Sequence, residues 1–174
     1  MHTVGFKPEN IILAGDSAGG NLALALARYL AEYAPELKPG AMLLLSPWCD
    51  LSVLGQDTES MLFDCDYIPR DTSYPVSGFA GLFGIQIADT SRWMSPARAG
   101  HFEGFPKAYI ISGGAEIFRD QIRELAAKMQ KDSGPENVKY VEMVEAVHDT
   151  LVMLRFEPET RMAFEGMAKW IREL

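Results

Sequence analysis

Four short apolar runs, at residues 11–14, 41–45, 108–111 and 139–144, punctuate the chain, and between them the apolar positions change to helical spacing. Runs this short, bounded by Gly, Pro or polar residues, predict strands. After the first run, Leu22, Ala25, Leu26, Tyr29, Leu30 and Tyr33 fall on one helical face, and Pro35 followed by Pro39-Gly40 ends the helix. A second helix is predicted from Gln121, with Ile122, Leu125, Ala126 and Met129 at helical spacing. The last begins near Pro158 and aligns Ala163, Met167, Trp170, Ile171 and Leu174. Strands that alternate with helices predict an α/β fold: a mostly parallel sheet built from right-handed crossovers and flanked by helices.

The interval from Trp48 to Phe105 is far longer than the dozen or so residues a crossover needs. Residues 50–104 are therefore expected to form a small helical lid inserted into one domain that spans 1–174. Met61, Phe63, Tyr67, Tyr74, Phe79, Leu82 and Phe83 make this interval too apolar for a solvated linker. They either line a pocket, which would suit a hydrophobic acyl or alcohol group, or pack on the sheet as ordinary core.

The first run leads into Gly15-Asp16-Ser17-Ala18-Gly19-Gly20, directly ahead of the helical stretch. A G-x-S-x-G match is informative in this strand–turn–helix setting, because the sharp turn lifts a serine hydroxyl off the sheet to where a substrate carbonyl reaches it. Small residues are expected at Gly15, Ala18, Gly19 and Gly20, since the backbone at the serine is strained and helix and strand crowd together. A phosphate cradle at a helix N-terminus is the competing reading. No Lys follows the glycines as a P-loop requires.

A nucleophilic serine needs a base, and the base needs an acid to hold its tautomer. Of the three histidines, His2 lies ahead of the motif near the chain start and His101 lies in a Gly- and charge-rich loop. His148 follows the fourth strand and precedes the apolar run 151–154, in the kind of loop where a sheet enzyme carries its base. Two carboxylates compete for the acid. Glu116 falls at the tip of the third strand, and Asp120 about one turn later. Asp120 has a structural explanation, as N-cap of the helix from Gln121. Glu116 has none and is preferred, with Asp120 kept as the alternative.

Beyond the serine motif, the segments Asn21-Leu22-Ala23, Ser46-Pro47-Trp48, Trp93-Met94-Ser95-Pro96, Gly113-Gly114-Ala115-Glu116-Ile117-Phe118-Arg119-Asp120 and Val147-His148 recur in a pattern. With them the chain resembles, over nearly its whole length, the hormone-sensitive-lipase-like esterases of the α/β-hydrolase fold. The order serine, acid, histidine is also theirs. The resemblance implies a carboxylic ester hydrolase of esterase, lipase or deacetylase type. Ser17 would be the nucleophile, His148 the general base and acid, Glu116 the orienting acid and the Ala18 N–H an oxyanion donor. Two positions depart from the pattern: many relatives carry Asp in place of Glu116, and many carry Gly where Asp149 follows the histidine.

Such relatives also carry, well upstream of the serine, several strands and a His-Gly-Gly-Gly segment that donates to the oxyanion. No such segment occurs in these 174 residues. The expectation is therefore the C-terminal portion of an esterase with its N-terminal strands missing. Its serine strand would be open to self-association along one edge. Its turnover would be at least about a hundredfold below a complete relative.

Composition narrows the partners. At 48% hydrophobic residues the chain can bury one core, and a net charge of −8 argues against nucleic acid as a partner, leaving a small-molecule ester. No window approaches the roughly 20 apolar residues of a membrane span, and no charged-then-apolar leader is evident; the compartment stays open, cytoplasmic by default. Cys49 and Cys65 lack metal spacing and read as buried hydrophobes, and no cofactor or metal is implied. Two other classes remain: a catalytically impaired fragment or non-catalytic binding module of the same fold, and an interaction subunit that pairs its sheet edge with another chain.

Overall fold

The computed structural model describes residues 5–52, 65–68, 91–153 and 157–174. Four strands, β1 (Ile12–Asp16), β2 (Ala41–Leu45), β3 (Lys107–Gly113) and β4 (Val138–Met143), form one sheet in the order β1-β2-β3-β4. All three pairings are parallel. The apolar runs thus mark every described strand, with β2 matching its predicted bounds and the others differing by one or two residues at their ends. The helices are α1 (Ser17–Tyr33), α2 (Pro96–Ala99), α3 (Arg119–Ser133), α4 (Thr150–Met153) and α5 (Glu159–Arg172).

Side chains alternate across a strand, so each strand feeds two faces of the sheet. Met42, Leu44, Ala108 and Ile110 point to one face and bury Leu24 and Ala27 of α1 together with Ile122, Leu125 and Met129 of α3. Their neighbours Leu43, Leu45, Tyr109 and Ile111 point to the other and meet Ala163, Met167 and Trp170 of α5. The result is a helix–sheet–helix sandwich. Because the strands are parallel, their C-terminal ends share one edge: Asp16 lies beside Leu45, Leu45 beside Ile111 and Ile111 beside Val141. Ligands in open parallel sheets bind outside that edge.

Two helical expectations need correction. Of the α1 face predicted from Leu22, Ala25, Leu26, Tyr29, Leu30 and Tyr33, Ala25 and Leu30 are half-buried and the other four are exposed, and the buried residues are Gly20, Ala23, Leu24, Ala27 and Arg28. The buried stripe includes a charged residue because the Arg28 guanidinium lies over the rings of Trp93, Phe102 and Phe105, at 5.9, 5.6 and 5.2 Å from their centroids, which offsets part of its desolvation. Asp120 does not cap α3. The helix starts at Arg119, and Asp120 in its first turn takes ion pairs from Arg119 (2.8 Å) and Arg123 (3.1 Å).

Of the expected lid, residues 53–64 and 69–90 lie outside the described residues, and with them Met61, Phe63, Tyr74, Phe79, Leu82 and Phe83. Its described end, 91–104, packs into the main core through Ala97 and Phe102. His2 also lies outside the described residues, while His101 is exposed. Cys49 is buried as expected, but Cys65 is exposed, since its segment turns Asp66 to the Ile117 N–H and Ile68 to the main core and leaves Cys65 to solvent.

Candidate active site

Strand β1 passes into α1 without a loop, and the turn is taken at Ser17, whose φ of +48° lies in the left-handed region that non-glycine residues rarely occupy. Crowding explains the flanking glycines. A Cβ on Gly15 would overlap the Gly19 carbonyl, and one on Gly20 would come within 2.7 Å of Pro47 Cβ. Gly19 is not crowded in this way; its nearest contact would be Asp16 Oδ1 at 3.7 Å. Ala18 opens the first turn of α1, where the helix offers its N–H no acceptor.

His148 sits in the loop between β4 and α4, only 2% exposed, with Nε2 3.0 Å from Ser17 Oγ. Glu116, fully buried in the loop after β3, places Oε2 3.4 Å from His148 Nδ1. This is longer than a formed hydrogen bond, as catalytic contacts often are before substrate binds. Two backbone bonds lock these loops together: Gly114 N–H donates to the Met143 carbonyl (2.8 Å) and Ala115 N–H to the Ala146 carbonyl (2.9 Å). Phe118 presents its ring edge-on to the imidazole at 5.0 Å. The structure therefore brings Ser17, Glu116 and His148 together and leaves Asp120 on the outer surface of α3, in its ion pairs with arginine.

Electrostatics at the site follow from burial against pairing. Burial raises the Glu116 carboxyl above its ordinary range, and the neighbouring His148 ring and Ser46 hydroxyl pull it partly back. For His148, burial acts to lower the pKa, but Asp149 and then Glu116 outweigh it and raise the ring to about 9. Beside the elbow, Ala18, Asn21, Leu22, Ala25, Trp48 and Leu51 line a mostly apolar cavity of about 160 Å³. Among the described residues, no group of three or more His, Cys, Asp or Glu side chains is placed to hold a metal ion.

The sequence pattern of the α/β hydrolase fold family matches residues 1–152. The chain belongs to this family. Esterase LipU of Mycobacterium tuberculosis is 28% identical over 181 residues, covering 99% of this chain and 58% of LipU. The carboxylesterase/phospholipase LipF of the same organism is 52% identical over 133 residues, 72% of this chain and 34% of LipF. Among solved structures, an esterase from the bacterial hormone-sensitive lipase family matches with a TM-score of 0.80 at 25% identity, over 99% of this chain and 56% of that one. A hormone-sensitive lipase from a metagenome library matches with a TM-score of 0.79 at 24% identity, over 95% and 55% of the two chains, a likeness of fold. The chain spans about half the length of the relatives it matches.

Three groups of this α/β hydrolase site escaped sequence reasoning. Ser46, at φ +41° after β2, accepts the Asp149 N–H on its Oγ at 3.2 Å, and its hydroxyl acts to lower the Glu116 pKa, so it stands between the acid loop and the histidine loop. Its signal was the Ser-Pro-Trp segment, which carried no chemistry by itself. Asp66 accepts the Ile117 N–H at 2.8 Å and brings Tyr67 to 6.1 Å from the imidazole, ring centre to ring centre. Asp149 places Oδ2 3.1 Å from His148 Nε2. In the sequence it was visible only as a departure from glycine.

Proposed function

We propose that this chain carries the acid–base and nucleophilic groups of a carboxylic ester hydrolase that works through a serine acyl-enzyme. The observation that carries the reading is the 3.0 Å contact between His148 Nε2 and Ser17 Oγ at a residue held in left-handed backbone geometry. In the first half-reaction Ser17 Oγ attacks the ester carbonyl and its proton passes to His148 Nε2. The carbonyl oxygen takes the negative charge and leans on the Ala18 N–H. Collapse of the intermediate expels the alcohol, which receives the proton from His148. Water then attacks the acyl-enzyme with His148 again as base, and the carboxylic acid leaves. Glu116 keeps the Nδ1 proton in place and stabilises the imidazolium. The apolar cavity at Ala18, Leu22, Ala25, Trp48 and Leu51 suits a short apolar acyl group, in line with the esterases this chain resembles.

Hydrolysis of a chromogenic butyrate ester by the purified chain and by Ser17→Ala tests the nucleophile. The expected result is loss of the enzymatic rate in the variant, and an unchanged rate would overturn the assignment.

A further inference from the structure

Asp149 occupies a position that an ordinary side chain avoids. Its φ of +49° is left-handed, a region where Gly, Asn and Asp are tolerated best. The backbone is pinned there by its N–H bond to Ser46 Oγ at 3.2 Å, and the side chain turns back onto the catalytic ring. Oδ2 reaches His148 Nε2 at 3.1 Å, the nitrogen that also lies 3.0 Å from Ser17 Oγ. Oδ1 is buried with no hydrogen-bond partner.

The imidazole thus lies between two carboxylates, Glu116 3.4 Å from Nδ1 and Asp149 3.1 Å from Nε2, while the hydrogen bond at Nε2 is made with Ser17 Oγ. A neutral imidazole has one N–H and one lone pair. Whichever nitrogen carries the proton, the other then turns its lone pair toward a carboxylate oxygen. Only the imidazolium, with a proton at both nitrogens and a positive charge, is attracted to both neighbours. In that form the ring cannot accept the Ser17 proton.

We propose that Asp149 is a positioning residue that clamps the base: its carboxylate competes with Ser17 for His148 Nε2 and keeps a proton on that nitrogen, so the serine is activated only once the clamp releases. The inference rests on the triad reading of Ser17 and His148. The other groups around the ring do not replace the clamp. Tyr67 faces it from the 65–68 segment, and burial first, then Asp149, Asp66, Glu116 and Asp16, hold its phenol in the protonated, neutral form. Asp66 is bound to the Ile117 N–H, and the Arg119 guanidinium is bound to the Gly114 carbonyl and Asp120. Phe118 contributes only its ring edge. The raised pKa of His148 agrees in direction and names Asp149 as the larger of the two raising partners.

The test is a nuclear magnetic resonance titration of the His148 ring in the full chain, compared with Asp149→Asn and Asp149→Gly, alongside the pH dependence of Ser17 labelling by a fluorophosphonate. Glycine takes the left-handed backbone without strain, so the second variant separates the carboxylate from the turn geometry. Removing the carboxylate is expected to lower the His148 titration by about one unit or more. It is also expected to raise the labelling rate near pH 7 by about tenfold, since a tenfold larger share of rings is then neutral. A titration that stays within about 0.3 unit of wild type in both variants overturns the clamp. A downward shift with no labelling of Ser17 in any of the three proteins keeps the clamp and overturns the triad.

Discussion

Ser17 and His148 stand 131 positions apart in sequence and meet at 3.0 Å, because β1 and β4 end at the same edge of one parallel sheet and the loop after β4 reaches back across the end of β3, where Gly114 and Ala115 donate to the Met143 and Ala146 carbonyls. Ser17 follows β1 directly, and His148 lies five residues beyond the end of β4. Glu116 arrives from the intervening β3, so the sheet alone sets the order in which serine, acid and base converge.

Which carboxylate holds the ring is testable by two conservative changes. Glu116→Gln keeps the shape but removes the charge 3.4 Å from Nδ1, and is expected to lower Ser17-dependent turnover by about a thousandfold or more. Asp120→Asn removes only partly exposed ion pairs with Arg119 and Arg123, so it is expected to cost no more than about 1 kcal/mol of stability and to leave turnover within about twofold. Rates and urea midpoints of both variants check the pair. A dead, fully stable Asp120→Asn protein would transfer the role to Asp120.

Stability should carry the signature of the paired ring. His148 is raised from 6.5 to about 9 in the folded chain. A raised base binds its proton more tightly folded than unfolded, so its contribution is complete below pH 6.5 and is lost as pH rises through about 9. The melting temperature of wild type relative to His148→Gln is therefore expected to fall steadily between those two values. A difference that grows with pH would contradict the pairing.

The outer position of β1 has its own consequence. Among the described residues β1 pairs only with β2, Ala14 on it is exposed, and α1 beside it shows Leu22, Leu26, Tyr29 and Tyr33 to solvent. An uncovered edge next to an apolar stripe is a template for association. Light scattering of the purified chain is expected to find species larger than one chain, and Ala14→Lys, a charge on the edge strand, is expected to reduce them. A monodisperse monomer would show that the edge is protected.

The sheet was legible because its inner strands β2 and β3 are largely buried and read as apolar runs, while β1 and β4 keep shorter apolar runs that end at polar or glycine positions. The elbow was legible because crowding at Gly15 and Gly20 leaves so little choice of residue. Apolar spacing chose the wrong face of α1, because the buried stripe includes Arg28, and only the fold assembles Trp93, Phe102 and Phe105 beneath it. The capping role expected of Asp120 failed for a similar reason, since partners at Arg119 and Arg123 compete with the helix N–H groups for its oxygens. The Ser-Pro-Trp segment and the departure from glycine at Asp149 did not disclose what Ser46 and Asp149 do, because they bond to each other across 103 positions and both depend on left-handed backbone angles.

The central claim is that Ser17 is a nucleophile activated by His148. It is tested most directly by exposing the purified chain to a fluorophosphonate and following the adduct by intact mass and peptide mapping. The account predicts one adduct per chain, located on Ser17, absent in Ser17→Ala and formed at least about a hundredfold more slowly in His148→Gln. An unmodified Ser17 under conditions that label a serine esterase control, or an adduct that forms as fast in His148→Gln as in wild type, would contradict it.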